Sequence, residues 1–118
     1  MQQNQLFWQN LQKLVDDSKI IIDRPKGSHH PKFPDAPEYP LDYGYIKNTK
    51  SMDGEGIDCF IGSLKNKIIS GVLCTIDMMK KDSEIKILIS CTSNEMNVAY
   101  EYLNKPDFFK AILITKEC

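Results

Sequence analysis

Three acidic side chains fall within one glycine-rich turn, Asp53-Gly54-Glu55-Gly56-Ile57-Asp58. The glycines let the backbone fold tightly enough for the carboxylates to converge. Converging carboxylates repel one another unless a cation neutralises them, and hard oxygen ligands suit Mg²⁺ or Mn²⁺. Taken alone, the turn is more often just a solvated surface loop. An EF-hand fits poorly: Asp53 and Glu55 imitate its first ligands, but the twelfth position falls on Leu64 rather than on a glutamate. A second acidic cluster is formed by Asp77, Asp82 and Glu84. Asp77 ends a strand-like run, which would aim its carboxylate at one end of a barrel or sheet. Lys80 and Lys81 between these acids offer another explanation, a solvated charged turn.

Cations come from a different segment. Arg24 to Pro40 holds prolines at 25, 31, 34, 37 and 40, together with Arg24, Lys26, His29, His30 and Lys32. Prolines at this density forbid a regular helix and remove strand donors, so a stiff, irregular segment is expected. A long loop of this kind in a small domain is usually functional or disordered. Beside two acidic clusters, it could supply what a metal-phosphate site needs: acids for metals, and bases and tyrosine hydroxyls for phosphate oxygens. The adjacent His29 and His30 would point in different directions in an extended chain, so a shared transition metal is not expected.

The elements that must position these groups can be read coarsely. Gln5 to Asp17 carries Phe7, Leu11, Leu14 and Val15 at near-helical spacing, with Leu6 and Trp8 beside them. Strand candidates are Lys19 to Asp23, Tyr43 to Lys47, Ile57 to Ile61, Lys67 to Ile76, Glu84 to Ser90 and Ala111 to Thr115. The polar run Met78 to Ser83 joins two of them as a hairpin-like loop. Thr92-x-x-Glu95 is a capping box that opens a helix with Met96, Ala99, Tyr100 and Leu103 on one face, stopped by Pro106. Phe108 and Phe109 suit either an interface or the core, and the core is the expectation. Six short strands without βαβ alternation argue against a doubly wound sheet. The expectation is a mainly β, α+β fold: a small, OB-like, partly closed β-barrel with flanking helices, in one domain over residues 1–118.

Composition narrows the function. A net charge of -1 provides no global basic field for nucleic acid. No apolar run approaches the roughly 18 residues that span a bilayer. Met1 to Gln5 has neither a basic flank nor an apolar stretch, so no signal peptide is expected. Cys59, Cys74, Cys91 and Cys118 form no C-x-x-C and suit reduced thiols in a cytoplasmic protein. The first helix, with Phe7 and Trp8, could serve a homo-oligomer interface.

Three motifs taken in order carry a resemblance: Tyr39-Pro-Leu-Asp-Tyr43-Gly-Tyr45, then Asp53-Gly-Glu-Gly-Ile-Asp58, then Gly71-Val-Leu-Cys-Thr-Ile-Asp77. Over about Ile20 to Ile89 the chain resembles the soluble, family I inorganic pyrophosphatases. The resemblance implies an oligonucleotide-binding-like barrel with Mg²⁺ and pyrophosphate at its mouth. It implies Asp53, Asp58 and Asp77 as metal ligands. Glu84 or Asp82 would be the fifth acid, and Lys86 a phosphate-binding lysine. Tyr43 would be a phosphate-contacting tyrosine and Tyr39 a nearby one. Glu55 stands where the family has the aspartate that contacts the attacking water, and Gly56 where it has proline. Asp23 matches a family glutamate. The family's site hairpin is absent before Tyr39, as is its C-terminal Tyr-Lys pair, so Arg24, Lys26 or Lys32 would have to replace lost cations. The implied function is Mg²⁺-dependent hydrolysis of pyrophosphate, with Mn²⁺ as a substitute. Hydrolysis of another phosphoanhydride such as a nucleotide, or binding without catalysis, are the alternatives.

Overall fold

The computed structural model describes residues 4–52 and 54–116. Helix α1 spans Gln5–Asp16, with the Asn4 side chain accepting from the Leu6 N–H at 2.8 Å. Its inward stripe is buried Trp8, half-buried Leu11 and buried Val15, spaced three and four residues apart. The expected face through Phe7 is thus rotated by about one residue. Trp8 has the most apolar area to hide, while Phe7 stays 43% exposed and packs edge-on against the Trp8 ring. Gln12 fastens the helix to the sheet: its amide donates to the Lys67 carbonyl and accepts from the Ile69 N–H.

Six strands follow: β1 (Ile20–Arg24), β2 (Asp42–Ile46), β3 (Ile57–Ile61), β4 (Ile69–Asp77), β5 (Asp82–Ile89) and β6 (Phe109–Thr115). They form one mixed sheet in the order β1-β2-β3-β5-β4-β6. Only the β3–β5 pair is parallel, because the β4–β5 hairpin folds back to place β5 beside β3. β1 and β6 are the sheet's edges, so the mainly β fold is as expected while the sheet does not close into a barrel. The hairpin turn at residues 78–81 matches the expected loop, with Lys81 in the left-handed region at φ 57°.

Alternation along the strands separates two faces. One face carries Ile57, Cys59, Ile61, Val72, Cys74, Ile87 and Ile89 and packs under α1. The other carries Phe60, Leu73 and Leu88 and packs under α2 (Ser93–Leu103). Along that second face the residues change character toward one end: Leu88 gives way to Lys86 and Glu84, Leu73 to Thr75 and Asp77, and Phe60 to Asp58. Helix α2 covers the apolar end with Met96, Ala99 and Leu103.

Both arms of the capping box are present. The Thr92 hydroxyl accepts from the Glu95 N–H at 3.1 Å, and the Glu95 carboxylate accepts from the Thr92 N–H at 2.9 Å. At the other end Asn104, two residues before the expected stop at Pro106, bonds to the Tyr100 carbonyl and to both backbone groups of Ala111. This ties α2 to β6. Phe109 packs against the core, but Phe108 is 43% exposed, contrary to its expected burial. Phe109 faces the α2 side as the first residue of β6, whereas Phe108 precedes the strand and only its carbonyl bonds across, to the Met78 N–H.

The proline-rich segment between β1 and β2 is pinned at its base. The Gly27 N–H donates to the Tyr39 carbonyl, the Tyr39 N–H donates to the Ser28 carbonyl, and the Lys26 N–H donates to the Asp42 carboxylate at 2.9 Å. His29 binds the Ala36 carbonyl and His30 accepts from the Lys32 N–H, so the two rings serve different partners. The described cysteines, Cys59, Cys74 and Cys91, carry free thiols; Cys118 lies outside the described residues. No helix among the described residues is long and apolar enough to cross a membrane.

Thr92→Ala should lower stability by about 1 kcal/mol, read as a shift in the urea midpoint. Glu95 is opposed by some burial, but its bonds to Thr92 and Ser63 hold its pKa below the ordinary 4.5. Its contribution should therefore be present above pH 4.5 and disappear as pH falls through the lowered folded value. In Glu95→Gln that acid-side loss should shrink.

Candidate functional site

The polar end of the α2 face opens into a cavity of about 240 Å³. Asp58 comes from β3, Asp77 from β4, and Asp82, Glu84 and Lys86 from β5. These residues share one face because the β4–β5 register pairs Asp77 with Asp82, Thr75 with Glu84 and Leu73 with Lys86. β1 adds Asp23 and Arg24. A register shift between Ile22 and Arg24 lets both neighbours line the cavity, which strict alternation would forbid. Glu55 and Gly56 line it from the turn before β3, and Lys80 from the β4–β5 turn.

Its centre is a three-strand contact. Lys86 Nζ donates to the Tyr43 hydroxyl at 2.8 Å and to Asp58 Oδ2 at 3.1 Å. The Tyr43 hydroxyl donates to the same Oδ2 at 2.7 Å. The Lys86 side chain is 9% exposed and that of Asp58 29%. Burial, and then the adjacent Asp58 carboxylate, push the Tyr43 phenol well above its ordinary range, so it stays a neutral donor. Arg24 donates to the Tyr39 hydroxyl at 2.7 Å, with its guanidinium 5.8 Å from the ring centres of both Tyr39 and Tyr43. Asp77 Oδ1 accepts from the Met79 and Lys80 N–H groups at 2.9 and 3.1 Å, which aims this carboxylate from a tight turn.

Two glycines are required by close approach. A Cβ at Gly44, between Tyr43 and Tyr45, would collide with the Ile21 carbonyl of β1. A Cβ at Gly56 would meet the Tyr45 ring at 2.7 Å and the Ile46 carbonyl at 2.9 Å. The acidic turn thus rests against Tyr45.

The cavity brings together Arg24, Tyr43, Glu55, Asp58, Asp77, Asp82, Glu84 and Lys86. Asp82 and Glu84, weighed as rivals, both face it. Tyr39 reaches it through Arg24. Lys26 and Lys32 are exposed and outside its lining. Lys32 nevertheless acts nearby: burial, then the charges of Arg24, Lys32 and Lys80, lower the pKa of His30. Asp53 lies outside the described residues. Lys80 was not anticipated as a lining residue, and its one signal was its place three residues after Asp77. Asp23, which the resemblance matches to a family glutamate, enters through the β1 register shift.

Six carboxylates (Asp23, Glu55, Asp58, Asp77, Asp82, Glu84) and three cations (Arg24, Lys80, Lys86) line the space. The donor set is all oxygen and in excess of its counter-charges, which suits a hard divalent cation. Among the described residues no three acidic, histidine or cysteine side chains form a ready-made metal cage.

Among solved structures, the backbone is similar to the inorganic pyrophosphatase of Helicobacter pylori, with a TM-score of 0.56 and 16% identity over 83% of this chain and 82% of that chain. It is similar to that of Neisseria gonorrhoeae, with a TM-score of 0.59 and 16% identity over 77% of each chain. It is also similar to that of Coxiella burnetii, with a TM-score of 0.58 and 14% identity over 83% of each chain. No protein-family model and no curated protein matches the sequence. The likeness is one of fold: a six-stranded mixed sheet with two helices, of pyrophosphatase type.

Lys86→Met leaves Asp58 charged without its ammonium partner. Water reaches Asp58 in part, so destabilisation should be about 2 kcal/mol, below the roughly 3–5 kcal/mol of a fully buried pair. Tyr43→Phe should cost about 1 kcal/mol. Urea midpoints unchanged from wild type would show that the contact contributes nothing.

Proposed function

We propose that the polar cavity hydrolyses inorganic pyrophosphate with Mg²⁺ bound among its carboxylates, Mn²⁺ serving as a substitute. The observation that carries this reading is the charge of the cavity, six carboxylates against three cations on a pyrophosphatase-type sheet. Asp58 and Asp77 would hold the metal, with Asp53 as the further ligand that the resemblance implies, and Glu84 and Asp82 line the same cavity as Asp58 and Asp77. When bound, Mg²⁺ supplies polarisation of phosphoryl oxygens and a lowered pKa for water.

The chain's own groups divide the remaining work. Glu55 accepts the proton of the attacking water. Lys86 has three N–H donors; two are engaged by Tyr43 and Asp58, which leaves the third for a phosphate oxygen. Tyr43 orients Lys86 and Asp58 relative to each other. Arg24, held by the Tyr39 hydroxyl, turns its remaining donors to the leaving phosphate. Lys80 adds a cation from the β4–β5 turn.

The test is phosphate release from pyrophosphate by wild type and Asp58→Asn, with and without Mg²⁺. Release should require Mg²⁺ and fall by about 100-fold or more in the variant. In parallel, Mg²⁺ should raise the melting temperature of wild type, a gain of about 2.7 kcal/mol at a hundred times its dissociation constant, and raise that of Asp58→Asn less. Full Mg²⁺-dependent activity in the variant would remove Asp58 from the metal site.

A further inference from the structure

A second cavity, of opposite character, adjoins the first. It occupies about 230 Å³ between the proline-rich segment and the end of α2 with its connection to β6. Ala36 and Pro37 contribute one side, and Tyr102, Pro106 and Phe108 the other. Tyr43, Lys86 and Phe109 line both cavities, so the two lie side by side with Lys86 between them.

The apolar chamber is unusually aromatic. The Tyr39 ring lies 5.1 Å from Tyr43 and 5.4 Å from Tyr102, tilted by 32° and 40°, which makes a row of ring faces. Phe108 and Phe109 line the same space. A single exposed phenylalanine is ordinary, but Phe108 here belongs to a cavity lined by five aromatic side chains. The charged groups lining it are Lys86 and Lys105, with no acid among the described lining residues. The chamber therefore combines ring faces with positive charge, the chemistry that receives an anion carrying a flat apolar group. Inorganic pyrophosphate has no such group and would leave it unused. At about 230 Å³ it falls below the roughly 300 Å³ at which sites for drug-sized ligands begin, so it suits one ring system rather than an extended chain.

We propose that this chamber binds the base of a nucleoside diphosphate whose phosphates enter the polar chamber; the inference deepens the hydrolase reading and rests on it. In the reaction, the water oxygen bonds to the terminal phosphorus and the bond from that phosphorus to the bridging oxygen breaks. The bridging oxygen leaves with the nucleoside monophosphate, the other product is inorganic phosphate, and one proton passes to solvent. Tyr102 and Phe108 are positioning residues for the base and stay clear of the reacting phosphorus.

The probes are adenosine 5′-monophosphate, inorganic phosphate and pyrophosphate, with calorimetric affinities measured on wild type, Phe108→Ala and Ala36→Trp, the last filling the chamber, and phosphate release from pyrophosphate and adenosine diphosphate assayed alongside. Adenosine monophosphate should bind wild type at least about fivefold more tightly than phosphate, and both substitutions should abolish that margin. Pyrophosphate hydrolysis and melting temperature should stay within about twofold and a few degrees of wild type. Equal affinity for the two probes in folded wild type overturns the inference while leaving pyrophosphate hydrolysis standing. Base-dependent binding without hydrolysis of pyrophosphate or of adenosine diphosphate supports the chamber and removes the hydrolase reading. A wild-type dimer that both substitutions dissolve would assign the chamber to a second copy of the chain and overturn the proposal.

Discussion

A lysine ammonium on β5 is held inside the sheet face by a carboxylate from β3 and a phenol from β2. Removing an ammonium from water is unfavourable unless its charge and donors are met. Lys86 therefore needs Asp58 and Tyr43 in place, which requires β2, β3 and β5 to pair in one register. A slip of one residue would turn each side chain to the α1 face, among isoleucines. Such a pair adds little net stability, but it opposes any register that leaves either charge alone.

The rest of the cleft follows from the same face. Alternation sends the β3, β4 and β5 side chains under α2 at one end and into the polar cavity at the other. Helix α2 is short and capped at both ends, so it covers the apolar half and stops. The β1 register shift then adds Asp23 and Arg24 from the sheet edge. Close packing at Gly44 and Gly56 keeps β1 and the acidic turn against the tyrosine-bearing strand.

Two kinds of surface meet at Lys86. On one side lie the carboxylates, with their excess negative charge, and on the other the aromatic rings of the proline-rich segment, α2 and β6. Arg24 links them, because its guanidinium lies near the rings of both Tyr39 and Tyr43 and donates to the Tyr39 hydroxyl. The segment that carries Ala36 and Pro37 is stiffened by its prolines and closed at its base by the Gly27–Tyr39 bonds. The wall of the apolar chamber is thereby held in place.

Much of the fold was legible locally. Runs of β-branched residues marked the strands, Thr92-x-x-Glu95 marked the start of α2, and the glycine-rich turn and Asp77 marked three of the lining carboxylates, Glu55, Asp58 and Asp77. These are properties of short stretches: side-chain period, cap chemistry and backbone freedom. What no short stretch contains is which strand lies beside which. The β3–β5 pairing, the open sheet, the entry of Asp23 and Lys80 into the cavity, the exclusion of Lys26 and Lys32, and the exposure of Phe108 were decided only when the chain folded. Each depends on register between distant segments, a non-local balance of burial and hydrogen bonding. Residue types thus determined what chemistry this chain could do, and the pairing of β2, β3 and β5 decided which of those residues face one another.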